Sequence, residues 1–218
     1  VDPARNLVYV PIGNPAPDYY LPARPGSNLY TNSVVALDAA SGKVAWYVQQ
    51  LDRDYHDWDT SAAPILYEQD GHRYMAVGTK AGYLYIYDRD THRLVSRTSV
   101  LPRANDTLPF TSQPIHVCPG TNGGVEWNGP GYDPKTKSIF VNTVHWCATW
   151  WARAPEGKRP GSWYVEANIT MDPPEQTRGW TYALDAGTGK VIWSREAPNP
   201  MIGAVTPTAD GIVLAGGG

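Results

Sequence analysis

Val35-Ala36-Leu37-Asp38-Ala39-Ala40-Ser41-Gly42-Lys43-Val44-Ala45-Trp46 is a strand, a tight turn and a second strand, and the chain contains it twice. The second copy is Tyr182-Ala183-Leu184-Asp185-Ala186-Gly187-Thr188-Gly189-Lys190-Val191-Ile192-Trp193. In each, an apolar run ends in Asp, a turn reaches Gly, and an alternating run ends in Trp. The Asp carboxylate can accept backbone N–H bonds across the turn, the Gly can take positive φ, and the Trp brings a large surface to bury. A weaker copy, Tyr85-Ile86-Tyr87-Asp88-Arg89-Asp90-Thr91-His92-Arg93-Leu94-Val95, has His92 in the place of the Gly.

A second element recurs ahead of the first. Asp2-Pro3-Ala4-Arg5-Asn6-Leu7-Val8-Tyr9-Val10 resembles Asp133-Pro134-Lys135-Thr136-Lys137-Ser138-Ile139-Phe140-Val141. Together the two elements make a unit that occurs at residues 1–46, degenerately at 62–96, and again at 131–193. A fourth unit begins at Val205. Repeated four-stranded units with a Trp apiece predict an all-β fold, a β-propeller covering about three blades and the start of a fourth, in which each blade buries its faces against its neighbours. The alternative is a β-sandwich with coincidental hairpins. No long segment has helical periodicity.

Composition agrees with short strands and tight turns: 9 Trp, 14 Tyr, 21 Gly and 20 Pro against 2 Phe in 218 residues. A net charge of −3 suggests neither a nucleic-acid partner nor an anionic membrane surface. No apolar run approaches the length of a membrane span, so the chain is not read as an integral membrane segment. Cys118 and Cys147 are either inert buried thiols or a bridge that would contribute ~3.5 kcal/mol in the chain-entropy model. Val1 is not a start Met, and the chain is read as an excised propeller segment over 1–218.

Against this background one stretch concentrates charge. Asp54-Tyr55-His56-Asp57-Trp58-Asp59 holds three carboxylates and an imidazole, and runs straight into the small, apolar Thr60-Ser61-Ala62-Ala63-Pro64-Ile65-Leu66. Carboxylates crowded beside a core either bind a cation or have their pKa values pushed apart for acid/base work. Two long connections, residues 13–32 and 148–176, have the length of functional or mobile loops.

The Ala-x-Asp-x-x-x-Gly-x-x-x-Trp repeat resembles the tryptophan-docking motif of the pyrroloquinoline quinone (PQQ)-dependent alcohol dehydrogenases, which are eight-bladed periplasmic propellers. Four further stretches fit in that family's order. Gly13-Asn14-Pro15-Ala16-Pro17, with Arg24-Pro25-Gly26 and Asn28, looks like the segment whose Asn binds the cofactor's metal. His56-Asp57-Trp58-Asp59 looks like the segment whose Trp-Asp carries the catalytic aspartate. Thr79-Lys80-Ala81-Gly82-Tyr83, with Asp88-Arg89, looks like the strand–turn whose basic residue contacts the quinone. Cys118-Pro119-Gly120 through Tyr132-Asp133-Pro134 to Cys147 is similar in spacing to the disulfide-containing blade, and implies a Cys118–Cys147 bridge suited to an oxidising periplasm.

The resemblance implies oxidation of a small-molecule alcohol. PQQ would accept hydride, Ca²⁺ would be its partner, and a periplasmic cytochrome c or quinone would take the electrons. Asn14 and Asp59 would hold the metal and Asp59 would be the base. Lys80, Glu126 and Trp127 would flank the cofactor, with Trp58 lining or supporting the pocket.

Some positions depart from the family. An acidic residue usually stands one spacer ahead of Trp-Asp, whereas His56-Asp57 abuts Trp58; anchoring on Trp58-Asp59 selects Asp59, and anchoring on His56-Asp57 would select Asp57. Glu126 stands where many relatives have Asn. Ser61 replaces the second Asp of lanthanide-using members, which favours calcium. The metal-binding Glu and the stacking Trp are expected upstream of Val1, so the segment alone is expected to be inactive.

Each residue also has a plainer reading. Asn14 in Gly-Asn-Pro is a common turn residue, Lys80 a solvated turn charge, Trp58 and Trp127 core, His56 a structural histidine and Asp54 a supporting or solvated charge. The aromatic residues of 146–163 would shape a pocket for something larger than methanol. No metal-ligand His pair or Cys-x-x-Cys cluster suggests zinc, no Cys-x-x-Cys-His attaches haem, and no Gly-x-Gly-x-x-Gly opens a nicotinamide domain. The rival function is a non-catalytic propeller scaffold of the outer-membrane assembly type. Such a scaffold has no reason to gather Asn14, Asp59 and Lys80 on one face.

Overall fold

All three repeat turns fold alike. In each, one carboxylate oxygen of the Asp accepts both a backbone N–H and a hydroxyl three residues on: Asp38 from Ser41, Asp88 from Thr91 and Asp185 from Thr188, at 2.6–3.0 Å. Gly42, His92 and Gly189 then take φ of 69°, 59° and 70°. The degenerate copy thus makes the same turn, with His92 in a left-handed conformation that glycine would reach without steric cost.

The computed structural model describes residues 1–153, 161 and 165–217. Its strands form five antiparallel sheets. The first is β1 (Leu7–Ile12), β2 (Ser33–Asp38) and β3 (Val44–Gln49); the second is β4 (Ile65–Gln69), β5 (His72–Gly78), β6 (Tyr83–Asp88) and β7 (Leu94–Ser99). A third sheet has the order β9 (Gly131–Asp133), β10 (Ser138–His145), β13 (Arg178–Asp185) and β14 (Val191–Ala197). The last pair is β15 (Val205–Pro207) with β16 (Val213–Ala215). The first unit therefore contributes three strands rather than the four expected.

Connection 148–176 is also not all loop. Its ends form β11 (Ala148–Ala152) and β12 (Ala167–Met171), which join β8 (Ile115–Val117) in a separate sheet. The period-two burial of Trp150, packed with Val117 and Ala167, supplies the reason. Residues 154–160 and 162–164 lie outside the described residues, and with them part of the aromatic pocket expected over 146–163.

Strand alternation stacks the sheets. Along β5, Met75 and Val77 face the first sheet with Tyr9, Val34 and Ala36, while Ala76 faces the third. Along β6, Tyr85 and Tyr87 face the first sheet, and Leu84 and Ile86 meet Ile139, Val141 and Leu184 of the third. Phe140 and Ala183 pass the stacking on to Val205. A sheet buried on both faces between like sheets is a propeller blade, and the chain is an all-β, partial propeller. Seam charges reinforce the stack: Arg89 pairs with Asp2 at 2.6 Å, and Lys137 with Asp70 at 2.6 Å. No helix among the described residues is long and apolar enough to cross a membrane.

Candidate functional site

The acidic stretch is folded by its first carboxylate. Asp54, 1% exposed, accepts the N–H of His56 (3.0 Å) and of Trp58 (2.8 Å), so it is a buried loop-former and not a solvated charge. Its carbonyl accepts from Arg24, whose guanidinium also holds Pro17 O, Asp18 O and Asn28 Oδ1 and so lashes connection 13–32 to this stretch. His56 is buried and stacks on Trp58, ring centroids 3.8 Å apart, which makes it structural. Trp58 is core, as its plainer reading had it, and its indole N–H reaches Gly120 O at 3.4 Å.

With the loop fixed, Asp57 and Asp59 converge on one ammonium. Lys80 Nζ donates to Asp57 Oδ2 at 2.9 Å and to Asp59 Oδ2 at 3.1 Å. Lys80 is a buried residue, not a solvated turn charge. Burial alone would lower its pKa, but the carboxylates of Asp57 and Asp59 outweigh it and raise the pKa above the ordinary lysine value. The backbone shares in the tie, because Lys80 N–H donates to Asp59 O at 3.0 Å. Asp59 Oδ1 accepts the backbone N–H of Asn14 at 2.7 Å, so Asp59 stands between Asn14 and Lys80.

Asp57 Oδ2 also accepts the hydroxyl of Thr121 at 2.6 Å, and Tyr19 Oη lies 2.9 Å from that hydroxyl. Burial raises the pKa of Asp57, and Asp59 adds to it against the pull of Lys80 and Thr121. Burial raises the pKa of Asp18, and the charges of Asp57 and Asp59 add to it against the Asn14 side chain and Arg24. Asp18, Tyr19 and Thr121 were not legible as site residues. Tyr19 and Asp18 sit in a turn-rich connection, and Thr121 arrives from more than sixty residues away.

Glu126 completes the cluster by a close backbone approach. Val125 N–H donates to Thr79 O at 3.0 Å, and Gly124, at φ 88°, lies so near Lys80 that a Cβ there would overlap its carbonyl. That is the physical use of Gly123-Gly124. The Glu126 side chain is 3% exposed and takes part in no hydrogen bond among the described residues. Burial raises its pKa to about 7, with Asp59 and Asp57 adding and Lys80 opposing. Trp127 turns outward, 75% exposed, and so is not core. Both line a cavity of about 590 Å³ with Val144, Trp146, Pro200 and Ile202.

The bridge Cys118–Cys147 is formed, and it ties the segment carrying Gly120 and Thr121 to the start of β11. The arrangement thus brings Asp59, Lys80 and Glu126 together with Asn14 at one end, and sets Trp127 on the wall of the adjoining cavity. Oxygen donors in excess of cations suit a hard metal ion, and a buried ammonium suits an oxygen that gains negative charge.

Residues 1–99 match the family described as PQQ: glucose/ethanol/alcohol dehydrogenase, beta-propeller domain. Quinoprotein ethanol dehydrogenase of Pseudomonas putida is 26% identical over 253 residues, covering 100% of this chain and 40% of that protein. Methanol dehydrogenase [cytochrome c] subunit 1 of Methylobacterium organophilum is 28% identical over 246 residues, covering 99% of this chain and 39% of its own length. The chain therefore spans about 40% of the length of these curated relatives. Among solved structures, the quinohemoprotein alcohol dehydrogenase ADHIIG of Pseudomonas putida HK5 superposes with a TM-score of 0.88 at 22% identity, covering 99% of this chain and 37% of that one. The chain is thus similar in sequence to PQQ-dependent alcohol dehydrogenases over its whole length, shares their fold, and matches their propeller-domain family over residues 1–99.

Proposed function

We propose that this chain supplies part of the catalytic site of a periplasmic alcohol dehydrogenase that uses PQQ and Ca²⁺ and passes electrons to a cytochrome c or a quinone. The observation that carries this reading is Asp59, hydrogen-bonded at once to the backbone of Asn14 and to the ammonium of Lys80. The donor set fits a hard divalent cation: Asn14 and Asp59, with Asp57 beside them, offer oxygen ligands, and the two carboxylates share the single ammonium of Lys80. A planar, carbonyl-rich cofactor would find a donor in Lys80 and an exposed indole face in Trp127, with Glu126 beside them. When bound, PQQ supplies the hydride acceptor and Ca²⁺ polarises its carbonyl.

The chain's own residues would do the rest. Asn14 and Asp59 hold the metal, and Asp59 takes the proton of the substrate hydroxyl. Lys80 stays an ammonium and hydrogen-bonds the oxygen on which charge grows. Asp57, pinned by Lys80 and Thr121, keeps Lys80 aimed. A scaffold propeller gives no account of a buried ammonium shared by two carboxylates beside an unpartnered third. The test is dye-linked alcohol oxidation by the full-length protein reconstituted with PQQ and Ca²⁺. Oxidation that needs both additions is expected, and none under any loading would overturn the proposal.

A further inference from the structure

Trp127, Trp146 and Ile202 give the cavity beside the cluster an apolar wall, Asn122, Thr177 and Asn199 add neutral polar groups, and among the described residues Glu126 is its only carboxylate. Nothing among the described residues donates a hydrogen bond to that carboxylate, and the nearby ammonium of Lys80 is already committed to Asp57 and Asp59. A buried carboxylate without donors is costly, so the geometry favours a ligand that brings one. An ammonium suits that place, because it pairs with the carboxylate in a charge-assisted bond while the indole of Trp146 in the same wall attracts ammonium groups and encloses an apolar body.

Resting on the alcohol dehydrogenase reading above, we infer that this cavity takes an alcohol bearing a protonated amine near its hydroxyl and an apolar group beyond. Glu126 receives the ammonium N–H, Trp146 encloses the apolar group, and the hydroxyl lies toward Asp59. Glu126 is then a specificity-determining residue, which gives a reason for a carboxylate at this point of the wall.

The test is calorimetric binding to the full-length protein at pH 7, with no electron acceptor present. The probes are phenylalaninol and 3-phenyl-1-propanol, which differ only in the amine. Phenylalaninol is expected to bind at least about tenfold more tightly, and Glu126→Gln is expected to abolish the difference. Equal affinities in the unaltered protein, or a preference that survives Glu126→Gln, would overturn the inference. If the variant does not fold, the probe pair on the unaltered protein decides it. Oxidation of both alcohols is followed in parallel, by the protein loaded with PQQ and Ca²⁺. Turnover without an amine preference sinks this inference alone, whereas an amine preference with turnover of neither alcohol sinks the dehydrogenase reading.

Discussion

The backbone N–H of Asn14 donates to Asp59 Oδ1 at 2.7 Å, joining two loops that lie 45 residues apart in the chain. That bond leaves Asp59 Oδ2 for Lys80 and sets the carboxylate's orientation from both sides. The carboxylate proposed as the base is thus held at both oxygens by two separate segments before substrate arrives, which is what proximity catalysis requires.

Gly13 makes this positioning testable. A Cβ at residue 13 would lie 2.5 Å from Asp59 Oδ1, and the backbone there is not left-handed, so Ala is tolerated by the chain and not by the carboxylate. Asp59 must then swing aside and give up its bonds to Asn14 N–H and to the Lys80 ammonium. Gly13→Ala is therefore expected to cost about 1–3 kcal/mol of stability and to lower the oxidation rate by about a hundredfold. Thermal denaturation and steady-state rates of the same preparation check both halves.

Glu126 gives the protein a pH slope. Its folded-state pKa is raised to about 7, so between about pH 4.5 and 7 the folded protein binds more protons than the unfolded chain. Below that window the group costs nothing. Through it stability falls as pH rises, levelling off above pH 7 at a loss on the order of 3 kcal/mol. Asp57 and Asp18, also raised, add in the same direction. Denaturant unfolding at pH 5 and pH 8 is expected to show a smaller fall for Glu126→Gln than for the unaltered protein.

The bridge between Cys118 and Cys147 supports stability and site together. It closes a sequence separation of 29 residues, worth about 3.5 kcal/mol in the chain-entropy model. Next to it Gly120 O receives Trp58 Nε1–H, and Thr121 donates to Asp57. Replacing both cysteines by Ala is expected to lower unfolding free energy by about 3 kcal/mol and to reduce alcohol oxidation as well, measured by denaturant titration and by rate.

The fold was legible because local chemistry repeats. Each Asp-to-hydroxyl turn closes within four residues, so its pattern survives in sequence even where His92 replaces Gly. What lies across a seam was not legible. Trp46 stacks on His92 of the next blade at 4.2 Å, and a Cβ on Gly189 would overlap Ser96, which stands in the Trp position of its own unit. A large pair at one seam and a small pair at the next compensate each other in space, and neither partner announces this in its own segment. The site divides in the same way. Asp59 and Lys80 sit in recognisable motifs. Asp18 and Thr121 join them only through loops whose paths depend on Arg24 and on the disulfide. Connection 148–176 reads as loop in sequence because its Trp, Pro and Arg content hides the short alternations of β11 and β12.

Asp59, not Asp57, is the carboxylate proposed to remove the hydroxyl proton. Both carboxylates reach Lys80, so the decisive measurement compares Asp59→Asn with Asp57→Asn in dye-linked alcohol oxidation by the full-length, reconstituted protein. Loss of a base contributes about 10²–10⁴-fold, so Asp59→Asn is expected to fall by that much, and Asp57→Asn, which only loosens Lys80, by about tenfold. A rate left intact by Asp59→Asn and abolished by Asp57→Asn would contradict the account.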